Sequence, residues 1–150
     1  MKDAFVRKGF AMGDDLQRFV QAQRDTYRNA LAELNDGGKR SHWMWFVFPQ
    51  LAGLGHSEMA HRYAIAGLDE ARAYLAHPIL GPRLEEATRT VLQWSGRSAQ
   101  QLFGSPDDIK LRSCMTLFAV AAPDQPIFRE VLDSFFAGKP DQQTLSRLRQ

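Results

Sequence analysis

Residues 105–122 read Ser-Pro-Asp-Asp-Ile-Lys-Leu-Arg-Ser-Cys-Met-Thr-Leu-Phe-Ala-Val-Ala-Ala, and they decide how the rest of the chain is arranged. Ser105 suits a helix N-cap, Pro106 the first helical position, and Asp107 and Asp108 the positive end of the helix dipole. Leu111, Cys114, Met115, Phe118, Ala119 and Ala122 recur at the helical period and form one apolar face. Leu117 and Val120 make the far side apolar as well. A helix apolar on two sides needs neighbours on both, so its C-terminal half is expected at the centre of the molecule.

Similar patterns lie on either side. Gln125-Pro126 opens a helix whose Ile127, Phe128, Val131, Leu132, Phe135 and Phe136 point inward, with Gly138 as its stop, and Asp141 can cap a last helix carrying Leu145 and Leu148. Upstream, Leu16, Phe19, Val20, Tyr27, Ala30, Leu31 and Leu34 give a helix over 14–35, capped by Asp14 or Asp15 and stopped by Asn35-Asp36-Gly37-Gly38. Ser57 begins a helix that reaches about Ala66. Residues 68–76 form another, ended by His77-Pro78 because a residue before proline avoids the helical region. Pro82 then suits a first turn, and Leu84, Ala87, Thr88, Val91 and Leu92 carry that helix to about Ser95. The expectation is an all-α fold, one globular domain of about seven helices over 14–150. The run Trp43 to Phe48 is the one place where a short strand could sit. Residues 1–13 show no helical stripe and read as a flexible N-terminal extension.

Bulk properties narrow the function classes. The chain has 150 residues, 44% hydrophobic and 24% charged, an ordinary composition for one domain with its own core. A formal net charge of +2 is too small to argue for nucleic acid or an anionic membrane as partner. No apolar run approaches the roughly 20 residues that span a bilayer. A single cysteine, Cys114, excludes an intramolecular disulfide and any cysteine-based metal site, which fits a reducing, cytoplasmic setting. No cofactor is implied, and the oligomeric state is not legible.

The most unusual composition lies at 39–57, Lys-Arg-Ser-His-Trp-Met-Trp-Phe-Val-Phe-Pro-Gln-Leu-Ala-Gly-Leu-Gly-His-Ser. It divides into a basic start (Lys39, Arg40, His42), an aromatic wall (Trp43, Trp45, Phe48), and a glycine turn (Gly53, Gly55) that runs into the Ser57 helix. Basic groups beside aromatic rings can hold a phosphate and stack a base or sugar; they can equally be a solvated face beside a tryptophan-filled core. The glycine turn offers backbone N–H groups to an anion, or is simply a turn followed by a Ser57 cap; it lacks the third glycine of a dinucleotide fold and the lysine of a P-loop. His56 and His61 are five residues apart, wrong for two metal ligands on one helix face, so no metal is expected.

Two further places carry candidates. Gln23 falls on the apolar stripe of its helix, so its amide must find buried partners or reach a ligand. Lys110 and Ser113 are polar groups on a helix that becomes buried one turn later, and the i,i+4 pair Asp108 and Arg112 is ordinary helix support. These features permit two functional readings. One is a small-molecule site for a phosphorylated or nucleotide-like ligand, lined by Gln23, Lys39, Arg40, His42, Trp43, Trp45, Phe48, Gly55, Ser57 and Lys110. The other is a non-enzymatic interaction module in which the same signature forms core or partner surface.

From Arg18 to Leu148 the sequence resembles a family of small bacterial proteins of unknown function often labelled calpastatin-like. The resemblance is carried by Arg18-Phe19, Ala22-Gln23, Lys39, Ser41-His42-Trp43-Met44-Trp45, Phe48-Pro49-Gln50-Leu51 and Gly53-Leu54-Gly55. It continues through His77-Pro78, Leu80 to Leu84, Phe103-Gly104, Asp107-Asp108 and Lys110 to Ser113. A fainter likeness runs to the NADAR family, through the Trp/Phe-rich segment, Leu80-Gly81, and a late helix with a basic residue, Met115 and Phe118. That likeness implies an N-glycosidase acting on a phosphoribosyl or ADP-ribose-like compound. Asp107 or Asp108 would be its catalytic carboxylate, and Lys39, Arg40 and the Gly53–Ser57 turn would hold phosphate.

Overall fold

In the computed structural model, which describes residues 16–149, the helix anticipated over 14–35 is two helices. The first, α1, spans 16–24; the second, α2, spans Tyr27–Asn35. They part at Asp25-Thr26, residues whose side chains compete for backbone hydrogen bonds. The 1–13 extension, the start of the domain at 14, and the Asp14 or Asp15 cap lie outside the described residues.

Eight more helices follow among the described residues. They are α3 (Met44–Val47), α4 (Glu58–Arg62), α5 (Leu68–Ala76), α6 (Leu80–Leu92), α7 (Ala99–Phe103), α8 (Asp107–Ala121), α9 (Ile127–Phe136) and α10 (Gln142–Leu148). The fold is all-α, a single globular domain, with ten helices where the periodicity gave about seven. Three of the differences are short elements. α3 replaces the possible strand: Val47 N–H bonds the Trp43 carbonyl and Phe48 N–H that of Met44, so the aromatic run closes one helical turn. α7, which periodicity missed, is five residues long and is defined by a capping box in which Ser98 and Gln101 exchange hydrogen bonds. The Ser57 helix stops at Arg62, because Ile65 turns away to bridge Leu51 in parallel, with Ala52 N–H on the Ile65 carbonyl and Ile65 N–H on that of Gln50 (both 2.8 Å).

α8 is the central element and packs on α5, α7, α9 and α10. Its residues 113–118 are all buried. The polar members of that run are satisfied locally: Ser113 Oγ donates to the Ile109 carbonyl (3.3 Å) and Thr116 Oγ1 to the Arg112 carbonyl (2.8 Å). Thr116 Oγ1 also accepts the Asp141 N–H (2.9 Å), tying α10 to the centre. The sequence pattern misplaces one residue of the far side: Val120 is 36% exposed. Asp141 caps α10 as its sequence implies, accepting from Thr144 N–H (2.9 Å). Ser105 does not cap α8; Pro106 occupies that position, while Asp107 and Asp108 lie in the first turn as anticipated.

Two local constraints fix how neighbouring segments pack, the first at the entrance to the 39–57 signature. Glu33, on α2 and 7% exposed, accepts four hydrogen bonds: from Arg40 N–H (2.7 Å), Ser41 N–H (3.0 Å), Ser41 Oγ (2.5 Å) and the Trp43 indole Nε1 (2.9 Å). Burial pushes its carboxyl up, but the Ser41 hydroxyl, the two backbone donors and the indole outweigh burial and hold it at about 2. Farther along, Gly81 on α6 lies against the Leu75 carbonyl of α5, where an added Cβ would collide with backbone.

Two outcomes follow. Because the folded carboxyl lies below its ordinary value of 4.5, Glu33 contributes stability that is complete above about pH 5 and is lost as pH falls through about 2. Urea unfolding of wild type and Glu33→Gln should therefore differ by roughly 2–3 kcal/mol near neutrality and converge toward pH 2; a pH-independent difference would refute this role. Gly81→Ala should lose roughly 2 kcal/mol or more in the same assay, because the clash is with backbone that cannot rotate away; an unchanged midpoint would show that α5 and α6 separate freely.

Candidate functional site

The structure separates the signature into core and edge. Trp43 and Phe48 are fully buried, their ring centroids 6.2 Å apart, and both pack on Phe103 of α7 (6.4 and 5.9 Å). They are interior side chains. Trp45, two positions after Trp43 and within α3, is only partly buried and belongs to the edge.

At that edge lies a charge array. Lys39 Nζ is 2.8 Å from Asp107 Oδ2, and Lys110 Nζ is 3.5 Å from Asp107 Oδ1. The Lys39 side chain is 8% exposed, and its ammonium lies 5.2 Å from the Trp43 ring centre. The Lys110 ammonium lies 5.4 Å from that of Trp45. Backbone contacts set this arrangement. Lys39 N–H bonds the Leu102 carbonyl (2.7 Å), which places the lysine beside α7, and the Gly104–Pro106 turn delivers Asp107 at the start of α8. Lys110 follows three residues later, on the same flank. One residue along, Asp108 has a buried carboxylate oxygen, Oδ1, with no hydrogen-bond partner. Buried polar atoms are rarely left so, and such an oxygen calls for a donor or a proton.

Chemically, one carboxylate serves two ammonium groups. Both Asp107 oxygens face a cation, an arrangement suited to a counter-ion that orients the lysines. Each ammonium has three N–H donors, and among the described residues Asp107 is the acceptor found for both. Surplus donors and surplus positive charge therefore sit beside a partly exposed indole.

The other sequence candidates fall elsewhere or serve the fold. Gln23 is 1% exposed; its Nε2 donates to the Phe46 carbonyl (2.7 Å) and the Tyr74 hydroxyl (3.1 Å), a structural use of the amide. Arg40 is exposed and pairs with Asp36 (3.2 Å), while its backbone goes to Glu33. His42 is exposed, and its side chain has no hydrogen bond or ion pair among the described residues. Gly55 permits close packing, since a Cβ there would lie 2.6 Å from the Ala60 Cβ. Ser57 Oγ caps α4 by accepting Ala60 N–H (3.1 Å). The Gly53 carbonyl is covered by Arg147 Nη2 (3.1 Å). The glycine turn is thus accounted for by packing and capping. Lys39, Trp45, Asp107 and Lys110 come together, with Trp43 beneath them.

A concavity that sequence reasoning did not find lies where α1 meets α2, against α6. It has a volume of about 530 Å³ and is lined by Arg24, Tyr27, Arg28, Arg83 and Glu86, among others. The only sequence signal for it is the i,i+4 spacing of Arg24 and Arg28. Among the described residues no group of three or more His, Cys, Asp or Glu gathers to hold a metal ion, and no helix is long and apolar enough to cross a membrane.

Comparisons with known proteins agree with the fold. No curated protein matches the chain. The crystal structure of the conserved hypothetical protein Rv1873 from Mycobacterium tuberculosis is similar, with 52% sequence identity and a TM-score of 0.89. The match covers 91% of this chain and 97% of that one. Residues 13–148 match the family described as Protein of unknown function (DUF1810), so the chain belongs to that family.

Proposed function

We propose that the protein binds a small phosphorylated or nucleotide-like molecule at the Lys39–Asp107–Lys110 array, with Trp45 as its stacking surface. The observation that carries this reading is the sharing of one carboxylate by two ammonium groups at the edge of the aromatic wall. A phosphate would supply acceptors for the lysine donors that Asp107 leaves over, and would cancel the surplus charge. Lys110, at 3.5 Å from Asp107, is the looser of the two and the one free to swing to a ligand. Lys39, nearly buried and close to Asp107, is the fixed partner. An indole beside them provides the flat apolar face on which a base or sugar ring stacks. Trp43 and Phe48 do not take part, since they are core. Of the aromatic wall only Trp45 reaches the surface, which favours a small ligand over a protein partner. The unpartnered Asp108 oxygen adds a polar atom that a ligand hydroxyl could satisfy only with local movement.

Indole fluorescence tests this reading. Nucleoside mono- and diphosphates and sugar phosphates are titrated against the full chain, and the change is assigned by comparison with Trp45→Phe. At least one compound should quench the wild type and, near saturation, raise Tm by roughly 5 °C. Trp45→Phe should lose the quenching, and Lys110→Ala should weaken binding by about tenfold. Both positions lie at the edge, so the variants should fold. Absence of any hit across the panel, or binding unaffected in Lys110→Ala, would overturn the proposal.

A further inference from the structure

The concavity between α1, α2 and α6 has the size of a small-molecule site, about 530 Å³, and its chemistry is that of an anion receptor. Three of its lining residues are arginines, Arg24, Arg28 and Arg83. Arg24 and Arg28 are exposed and, among the described residues, pair with no carboxylate. Arg83 is held in place. Its guanidinium lies 5.0 Å from the centre of the Tyr27 ring, and its Nη1 is 3.4 Å from the Oε1 of buried Gln23. Of the two acidic residues in the lining, Glu86 is engaged, because the Tyr27 hydroxyl lies 2.6 Å from its Oε1; Asp25 is exposed. Burial, and then this bond to Glu86, push the Tyr27 phenol up, so it stays a neutral donor and adds no negative charge to the cleft.

We infer that this cleft is a second, separate binding site, and that it takes a small oligophosphate anion of the pyrophosphate or tripolyphosphate type. Planar guanidinium groups match phosphate oxygens in pairs, and one held arginine flanked by two exposed ones that form no ion pair among the described residues suits an anion with more than one phosphate. The volume of about 530 Å³ leaves room for such an anion. The site does not depend on the Lys39 array: it is built from other residues on other helices. Gln23 links it to the interior, since the same amide that meets Arg83 also donates to the Phe46 carbonyl.

The test is calorimetric titration of the full chain with inorganic pyrophosphate and tripolyphosphate at low ionic strength. Binding of one equivalent is expected. It should weaken by about tenfold or more in Arg24→Glu/Arg28→Glu, two exposed positions where charge reversal leaves the fold intact. Arg83→Lys keeps the charge but loses the planar fork, and should also bind more weakly. Lys110→Ala should bind as wild type does. Three results would each overturn the inference: no binding by wild type, undiminished binding by the arginine double variant, or loss of binding in Lys110→Ala, which would move the anion to the Lys39 array. Equal binding of citrate and pyrophosphate would overturn the assignment to phosphates.

Discussion

The 39–57 signature depends for its conformation on one buried carboxylate. Glu33 receives two backbone N–H groups, a hydroxyl and an indole from residues 40–43, and moving that segment away would leave a buried carboxylate without its donors. A loop after a helix ordinarily has several conformations. Here the four bonds select one, and two consequences follow from it. The Trp43 indole is aimed inward, where its ring joins Phe48 and Phe103 and its polar edge is satisfied. Lys39, just before the clamped residues, is brought against α7 and beside Asp107. The core and the charge array thus share one anchor, so a change at Glu33 would be felt at both.

The central helix shows how the chain places polar groups in a dry interior. Ser113 and Thr116 are buried within α8, but each hydroxyl bonds the carbonyl one turn earlier, and Thr116 also receives the N–H that precedes α10. Such bonds allow polar residues to pack like small apolar ones while fixing which neighbour docks where. Gln23 does the same between α1, the Phe46 carbonyl and Tyr74. The aromatic contacts around Tyr74, with Phe19 at 5.1 Å and Phe118 at 5.5 Å, then connect α1, α5 and α8 in one continuous core.

Much of the fold is legible in the sequence because the long helices carry strong periodicity and plain punctuation. α5, α8 and α9 sit close to where the apolar spacing and the prolines put them, and Asp141 and Ser57 cap as their positions imply. What is not legible has two causes. Elements of four or five residues, such as α3 and α7, are too short to show a period and are held by tertiary bonds. The split of α1 from α2 is invisible because the stripe of Leu16, Phe19, Tyr27 and Leu34 continues across it. For the site, composition located the charged edge but could not tell Trp43 from Trp45, adjacent in pattern and opposite in exposure. Asp107 and Lys39 are distant in sequence, and their pairing exists only through the Lys39 N–H bond to Leu102 and the turn into α8. The arginine cleft required the packing of α6 against α2, of which a single sequence has no record.

The nearly buried Lys39–Asp107 pair is not explained by folding alone. Removing an ammonium and a carboxylate from water costs several kcal/mol per ion, and their attraction roughly restores what was lost, so an apolar pair of similar volume would serve the core as well. The additional lysine sharpens the point. Lys110 brings a second positive charge to the same carboxylate, which leaves the three groups with a net positive charge and no further acidic partner within ion-pair distance among the described residues. Cation–π contacts to Trp43 and Trp45 offset part of that cost, about 0.5–2 kcal/mol each depending on solvent access, without neutralising it. A polar cluster that is costly to bury, carries excess charge and abuts a partly exposed indole is the basis of the anion site we propose. That excess charge is the physical reason the proposed site is placed at this edge of the aromatic wall.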